Sequence, residues 1–159
     1  MAKIKWPSHK AIMVSVAFCF NEKKELLLVM QKDRDYWSPP SGEVERDESP
    51  AQAAVRETKE EIDLDVKVVK TLTPIIKWES EYENSALILF HFLCEIKKGE
   101  IKHMKTSEPE YDVIDHKWIT LENILKNKTK IASNVLYLID ELKDSLKYKN
   151  HETLRVSEP

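Results

Sequence analysis

The sequence is poor in several things, and each shortage removes a class of function. It has no surplus of positive charge. The formal net charge is −3, so the overall basic field that marks non-specific nucleic-acid binders is missing. A small anionic substrate would then need its own neutralising partner, such as a metal. The apolar run Ala11 to Phe20 is ten residues long, and a bilayer-spanning helix needs about 20. Lys3, Lys5 and Lys10 ahead of that run imitate the start of a signal peptide. No small-residue cleavage site follows it, only the polar cluster Asn21-Glu22-Lys23-Lys24. Cysteine is scarce: Cys19 and Cys94 both lie in apolar, strand-like runs. They read as buried free thiols rather than a disulfide or a metal pair, which fits a reducing cytoplasm. The five histidines, His9, His91, His103, His116 and His151, show no metal-ligand spacing. Only two glycines occur, so a glycine in fixed register with other residues carries information. There is no internal repeat, linker or low-complexity segment.

What is present suits one globular domain over 1–159, with 42% hydrophobic and 33% charged residues. The apolar runs Ala11 to Phe20 and Glu25 to Gln31 flank the polar cluster and predict a hairpin. Asp33 to Gly42, with Pro39 and Pro40, reads as a loop. A helix should start at Ser49 as cap and Pro50 in the first turn, and run to about Glu61 or Ile62. Val66 to Trp78 and Ser85 to Ile96 read as strands, the first bent at Pro74. A turn at Lys97-Lys98-Gly99 leads to a short strand near Ile101. Thr106 to Asp112 is a loop, Lys117 to Thr120 a last strand, and Leu121 to Leu125 a short helix. The C-terminal helix spans about Ser133 to Tyr148, with Val135, Leu138, Ile139, Leu142 and Leu146 on one face. The polar tail from His151 to Pro159 is expected to fray. This order predicts an α/β (α+β) sandwich with helices packed on a mixed sheet.

The chemistry concentrates at Arg56-Glu57-Thr58-Lys59-Glu60-Glu61. On a helix, Glu57, Glu60 and Glu61 stand at i, i+3 and i+4 and share a face. The pairs Glu57–Glu60 and Glu57–Glu61 each destabilise an isolated helix by roughly 0.2–0.5 kcal/mol. Arg56 and Lys59 offset part of that repulsion, and a divalent cation would offset the rest. Oxygen ligands without His or thiolate suit Mg²⁺, with Mn²⁺ as the alternative, rather than zinc. Such a metal neutralises a pyrophosphate and acidifies a bound water. The plainer reading of the hexapeptide alone is a solvated helix face, with Arg56–Glu60 as an ordinary ion pair.

The preceding residues favour the first reading. Gly42 to Leu64 resembles the Nudix box of the MutT-like Nudix hydrolases. That pattern has a glycine, a glutamate after five residues, Arg-Glu after seven more, then an aliphatic, Glu-Glu, a glycine and an aliphatic. Here it stands as Gly42, Glu48, Arg56-Glu57, Glu60-Glu61 and Leu64. Asp63 replaces the last glycine, Thr58 an aliphatic, and Ser41 a glycine that many relatives carry before Gly42. Asp tolerates the left-handed conformation that a helix end calls for. Beyond the box, Lys117 to Glu122 looks like the strand and helix that close many family members.

The resemblance implies a Nudix-type α/β/α sandwich and a Mg²⁺-dependent enzyme. It casts Glu57, Glu60 and Glu61 as metal ligands, with a backbone carbonyl of Ser41 or Gly42 as a further one. Glu57 or Glu60 would take a proton from the attacking water. Arg56 would orient a neighbouring carboxylate, Glu48 would support the loop–helix junction, and Glu45 is a candidate outer ligand. A later acid completes the site in several relatives, and Glu108, Glu110 and Asp112 are the candidates. Trp37 and Tyr82 are candidates for base stacking, and Trp37 is equally a core residue. The implied reaction is hydrolysis of a phosphoanhydride in a nucleoside diphosphate-linked substrate, foremost a nucleoside triphosphate. Dinucleoside polyphosphates, ADP-ribose-like compounds and RNA 5′ ends are the enzyme alternatives. No run of Lys and Arg beside the box supports RNA. A nucleotide-binding regulator, or an isomerase using a cysteine, are the readings from other classes. The partner is then a small nucleotide, with no DNA or membrane, and a homodimer by analogy.

Overall fold

Strand β1 (Lys10–Cys19) closes on five successive buried residues, Ser15 to Cys19, so it needs cover on both faces. The computed structural model describes residues 10–78 and 85–155, except the side chains of 129 and 148–155. Within them β1 runs parallel to β6 (Ser85–Lys98) along its full length, from Lys10 opposite Ser85 to Cys19 opposite Cys94. The other edge of β1 pairs antiparallel with the short β3 (Ser41–Glu43). Both β4 (Asp65–Thr71) and β5 (Ile75–Trp78) pair antiparallel with β6. The sheet is therefore mixed, in the order β3-β1-β6-β4 with β5 beside β6. A second, antiparallel sheet joins β2 (Glu25–Gln31) to β7 (Val113–Thr120).

Alternate side chains of β1, β2 and β6 feed two separate cores. Ala17, Cys19, Leu27, Val29 and Phe92 pack with Ala54 and Ile62 of helix α1 (Pro50–Ile62). Val16, Phe18, Leu26, Leu28 and Leu93 face the other way. There they meet α2 (Leu121–Lys126), α3 (Ser133–Tyr137) and α4 (Ile139–Arg155) through Ile124, Val135 and Leu142. Helices thus cover both faces of the strands, the expected α/β/α sandwich. Cys19 and Cys94 are free and buried, as expected. No helix among the described residues is long and apolar enough to cross a membrane.

Four local expectations need correction. The apolar runs flanking Asn21 to Lys24 do not form a hairpin. After one bridge between Phe20 and Leu26 they enter different sheets, because β3 and β6 already occupy both edges of β1. The turn itself is held by Asn21, whose Oδ1 accepts from the N–H groups of Lys23 and Glu25, both at 3.0 Å. There is no strand near Ile101. Residues 101–106 form a strap along the end of α1, where Lys102 and Met104 donate to the carbonyls of Ile62 and Glu61. β3 lies in what reads as loop, because Gly42 and Ser41 extend the edge of β1. The C-terminal helix breaks at Leu138 (φ −92°, ψ 4°) and continues helical through Arg155, past the start of the expected tail. Tyr82 and residues 156–159 lie outside the described residues.

Candidate active site

The box is built at both ends by its caps. Ser49 Oγ accepts from the Gln52 N–H at 3.2 Å while Gln52 Oε1 accepts from the Ser49 N–H at 2.8 Å, and Pro50 opens α1. At the other end Asp63 adopts φ 59°, the left-handed conformation a glycine would take freely. Its carboxylate meets Lys59 at 2.7 Å and Lys102 at 3.3 Å, and these lysines lower its pKa. Thr58, in place of an aliphatic, is fully buried and donates to the Ala54 carbonyl at 2.8 Å. All three departures from the family pattern are thus locally accommodated, the third being Ser41, whose N–H is used below.

Arg56 is the hub of the site. It grips Glu48 with two hydrogen bonds, Nε to Oε2 at 3.0 Å and Nη2 to Oε1 at 2.6 Å. Its Nη1 donates to Glu57 at 2.7 Å and Glu60 at 3.1 Å, and Nη2 also reaches the Glu43 carbonyl at 3.0 Å. Glu45 stands at 3.7 Å, largely exposed. Glu48 accepts from the Glu45 N–H as well, and Arg56 draws its pKa down. This fork joins the loop to the helix and fixes the direction of Glu57.

Glu57 lies against the backbone of Gly42. A Cβ added there would overlap its carboxylate, so the glycine is needed for close approach rather than for backbone freedom. Burial raises the pKa of Glu57 against the opposing pull of Arg56. Glu61 is almost completely buried, accepting from Gln31 Nε2 at 2.7 Å and from the Ser41 N–H at 3.3 Å. Burial, then the charge of Glu57, pushes its pKa up to about 8. Glu60 is more exposed at the rim. Gln31 Oε1 is buried and has no hydrogen-bond partner among the described residues.

Among the described residues no three His, Cys, Asp or Glu side chains converge as a ready-made metal centre. Arg56 lies among the carboxylates instead. The donor set still fits a hard divalent cation. Glu57 and Glu61 are crowded acids whose raised pKa values a cation would reverse, and Gly42 leaves room for oxygen to approach. The orphaned Gln31 Oε1 beside Glu61 is a further unspent acceptor.

The carboxylates border a cavity of about 590 Å³. A second cavity of about 640 Å³ adjoins it, and the two share Val14, Arg34 and Ser41 as walls. Of the three later acids, Glu108 lines the first cavity. Asp112 is instead buried, accepting from the N–H and Oγ1 of Thr106 at 2.7 and 2.9 Å, and shapes the loop. Glu110 is exposed and lines neither cavity. Trp37 lines neither cavity: it packs against the core, and the Lys117 ammonium covers its ring at 4.3 Å. The aromatic in the second cavity is its neighbour Tyr36, with the Arg34 guanidinium 5.5 Å above the ring. Arg34, Tyr36, Gln31 and Asn134 were not singled out in the sequence. Only the position of Arg34 and Tyr36, just ahead of the box, was a signal for the first two.

The NUDIX domain profile matches residues 9–140. Nudix hydrolase 5 of Arabidopsis thaliana is 29% identical over 111 residues, which cover 67% of this chain and 35% of that protein. The chain therefore spans about a third of that relative. An RNA pyrophosphohydrolase of Campylobacter jejuni subsp. doylei is 25% identical over 138 residues, covering 81% of this chain and 86% of its own. Among solved structures, the MutT protein of Methanosarcina mazei Go1 superposes with a TM-score of 0.71 at 20% identity, covering 89% of this chain and 99% of that one. That last likeness is one of fold. With the profile matched over most of its length and a box of carboxylates gathered around Arg56, this chain belongs to the Nudix family.

Proposed function

We propose that the protein is a Mg²⁺-dependent pyrophosphohydrolase that splits a nucleoside triphosphate into the monophosphate and pyrophosphate. The observation that carries this reading is the joined pair of cavities. One is walled by Glu57, Glu60 and Glu61, the other by Tyr36 and Asn134, and Arg34 borders both. A phosphate chain fits the first, a nucleoside the second, and a guanidinium at the neck suits the charge between them.

Glu57, Glu60, Glu61 and a carbonyl of Ser41 or Gly42 would hold the cation. Bound there, it would neutralise the pyrophosphate and acidify a water. Glu57 is the stronger candidate for general base, because it lies on the inner wall of the cavity against Gly42 while Glu60 stands more exposed at the rim. It accepts the proton as the water oxygen bonds to phosphorus and the anhydride P–O bond breaks. Arg56 keeps that carboxylate aimed, and Glu48 keeps Arg56 in place. Glu108, which lines the same cavity, would complete the acidic wall.

RNA with a 5′-triphosphate is a second reading, favoured by Lys77 and Lys130 beside Arg34 on the second cavity. A panel of ribo- and deoxynucleoside triphosphates, ADP-ribose, a dinucleoside tetraphosphate and triphosphorylated RNA tests both, with Mg²⁺ and again with EDTA. Metal-dependent pyrophosphate release from a mononucleotide supports the first reading, and release from RNA alone the second. Silence across the panel from folded protein removes both.

A further inference from the structure

His91 is a fully buried imidazole in the middle of β6, and its surroundings dictate where its proton sits. The Thr73 carbonyl lies 2.9 Å from Nδ1. A carbonyl only accepts, so Nδ1 carries the hydrogen. Burial lowers the pKa of the ring and keeps it neutral, which leaves Nε2 as a bare lone pair. Nε2 faces the Asn134 amide at 3.2 Å, so Asn134 must donate to it through Nδ2. The direction of that amide is therefore set by the ring and not by chance. Asn134 lines the second cavity, and its Oδ1 makes no hydrogen bond among the described residues, nor is it a buried orphan.

We propose that His91 is a positioning residue for nucleobase recognition, holding the Asn134 amide so that the cavity selects a base edge that carries an exocyclic amine. This rests on the nucleotide reading given above. The Thr73 carbonyl, through the ring, decides which end of the amide the ligand meets. Without the ring the amide turns over freely and presents its oxygen or its nitrogen alike. A base with an exocyclic amine then loses its advantage over one without.

Steady-state kinetics with Mg²⁺ test this on three pairs: ATP against purine riboside triphosphate, GTP against ITP, and CTP against UTP. The wild-type protein should favour the amino member of at least one pair by about tenfold or more in kcat/KM, about the worth of one hydrogen bond. His91→Leu should raise KM far more than it lowers kcat and bring that ratio to within about twofold. His91→Gln should restore the preference, because its Oε1 can accept from Asn134 while its Nε2 donates to the Thr73 carbonyl. Asn134→Ala leaves the ring in place and should also abolish the preference, so the idea stays testable if His91→Leu does not fold. Preference retained in either His91→Leu or Asn134→Ala overturns the proposal, as does a wild-type protein that cleaves nucleotides with no base preference. A wild-type protein that cleaves none of the six fails the nucleotide reading itself, and the proposal falls with it.

Discussion

The two ends of the cleft are made in opposite ways. The carboxylate end is local: Gly42, Glu48, Arg56, Glu57, Glu60 and Glu61 come from one loop and one helix, tied by a single guanidinium. The other end is assembled from afar, from Val14, Tyr36, Leu89 and Asn134, with His91 behind it. The first is crowded with like charge and strained by burial. The second is mostly neutral, with Arg34, Lys77 and Lys130 as its cations and Asp35 as its acid. Chemistry common to many substrates can be encoded in a short contiguous stretch. Discrimination between substrates depends on which distant residues the fold brings together.

Substitutions can sharpen that contrast. Glu57→Gln should lower kcat by about a thousandfold or more, as loss of a metal ligand and base would. It should leave Tm within a few degrees, because a partly buried charge is removed while the amide oxygen still accepts from Arg56. Gly42→Ala should follow, losing at least about tenfold in kcat, because the new methyl and the Glu57 carboxylate claim the same space. Tyr36→Ala, at the distant end, should raise KM several-fold with little change in kcat. An equal fall in kcat for Tyr36→Ala and Glu57→Gln would erase the division between the two ends.

The proton on Glu61 gives a subtler test. Its pKa in the folded protein is about 8, against an ordinary 4.5. Between those values the folded state holds a proton that the unfolded chain releases. Stability of the metal-free protein should therefore fall as pH rises from about 4.5 through 8. Mg²⁺ competes with that proton, so the rise in Tm on adding it should grow across the same window. A Mg²⁺-induced shift that is independent of pH would contradict this placement of Glu61. The smallest effect is expected at Asp63→Ala. It loses two lysine partners and keeps φ 59°, which should cost a few degrees in Tm with kcat nearly intact.

The sequence was most legible where structure is local. The Ser49 cap with Pro50 behind it, the helix to Ile62 and the carboxylate face could be read because all depend on neighbours within a few residues. The turn at Asn21 was readable for the same reason, but its consequence was not. Whether β1 and β2 pair depends on β3 and β6 taking both edges of β1, which is a property of the whole sheet. Among the later acids, spacing could not separate Glu108 from Asp112. The side chain of Asp112 is spent on Thr106, and only the folded loop reveals that. Trp37 and Tyr36 differ by one position, and where the chain leaves its bend at Tyr36 one goes to the core and the other to the cavity. His91 looked like any histidine in an apolar run until Thr73 and Asn134 were seen on either side of it.

The most direct test of a metal-dependent hydrolase centred on α1 is pyrophosphate release measured side by side for wild-type protein and Glu57→Gln. The nucleotide panel would be offered with Mg²⁺ and then with EDTA. Release by the wild-type protein that EDTA stops and Glu57→Gln loses is the predicted result. Equal release by both proteins, or release that EDTA leaves untouched, would contradict it.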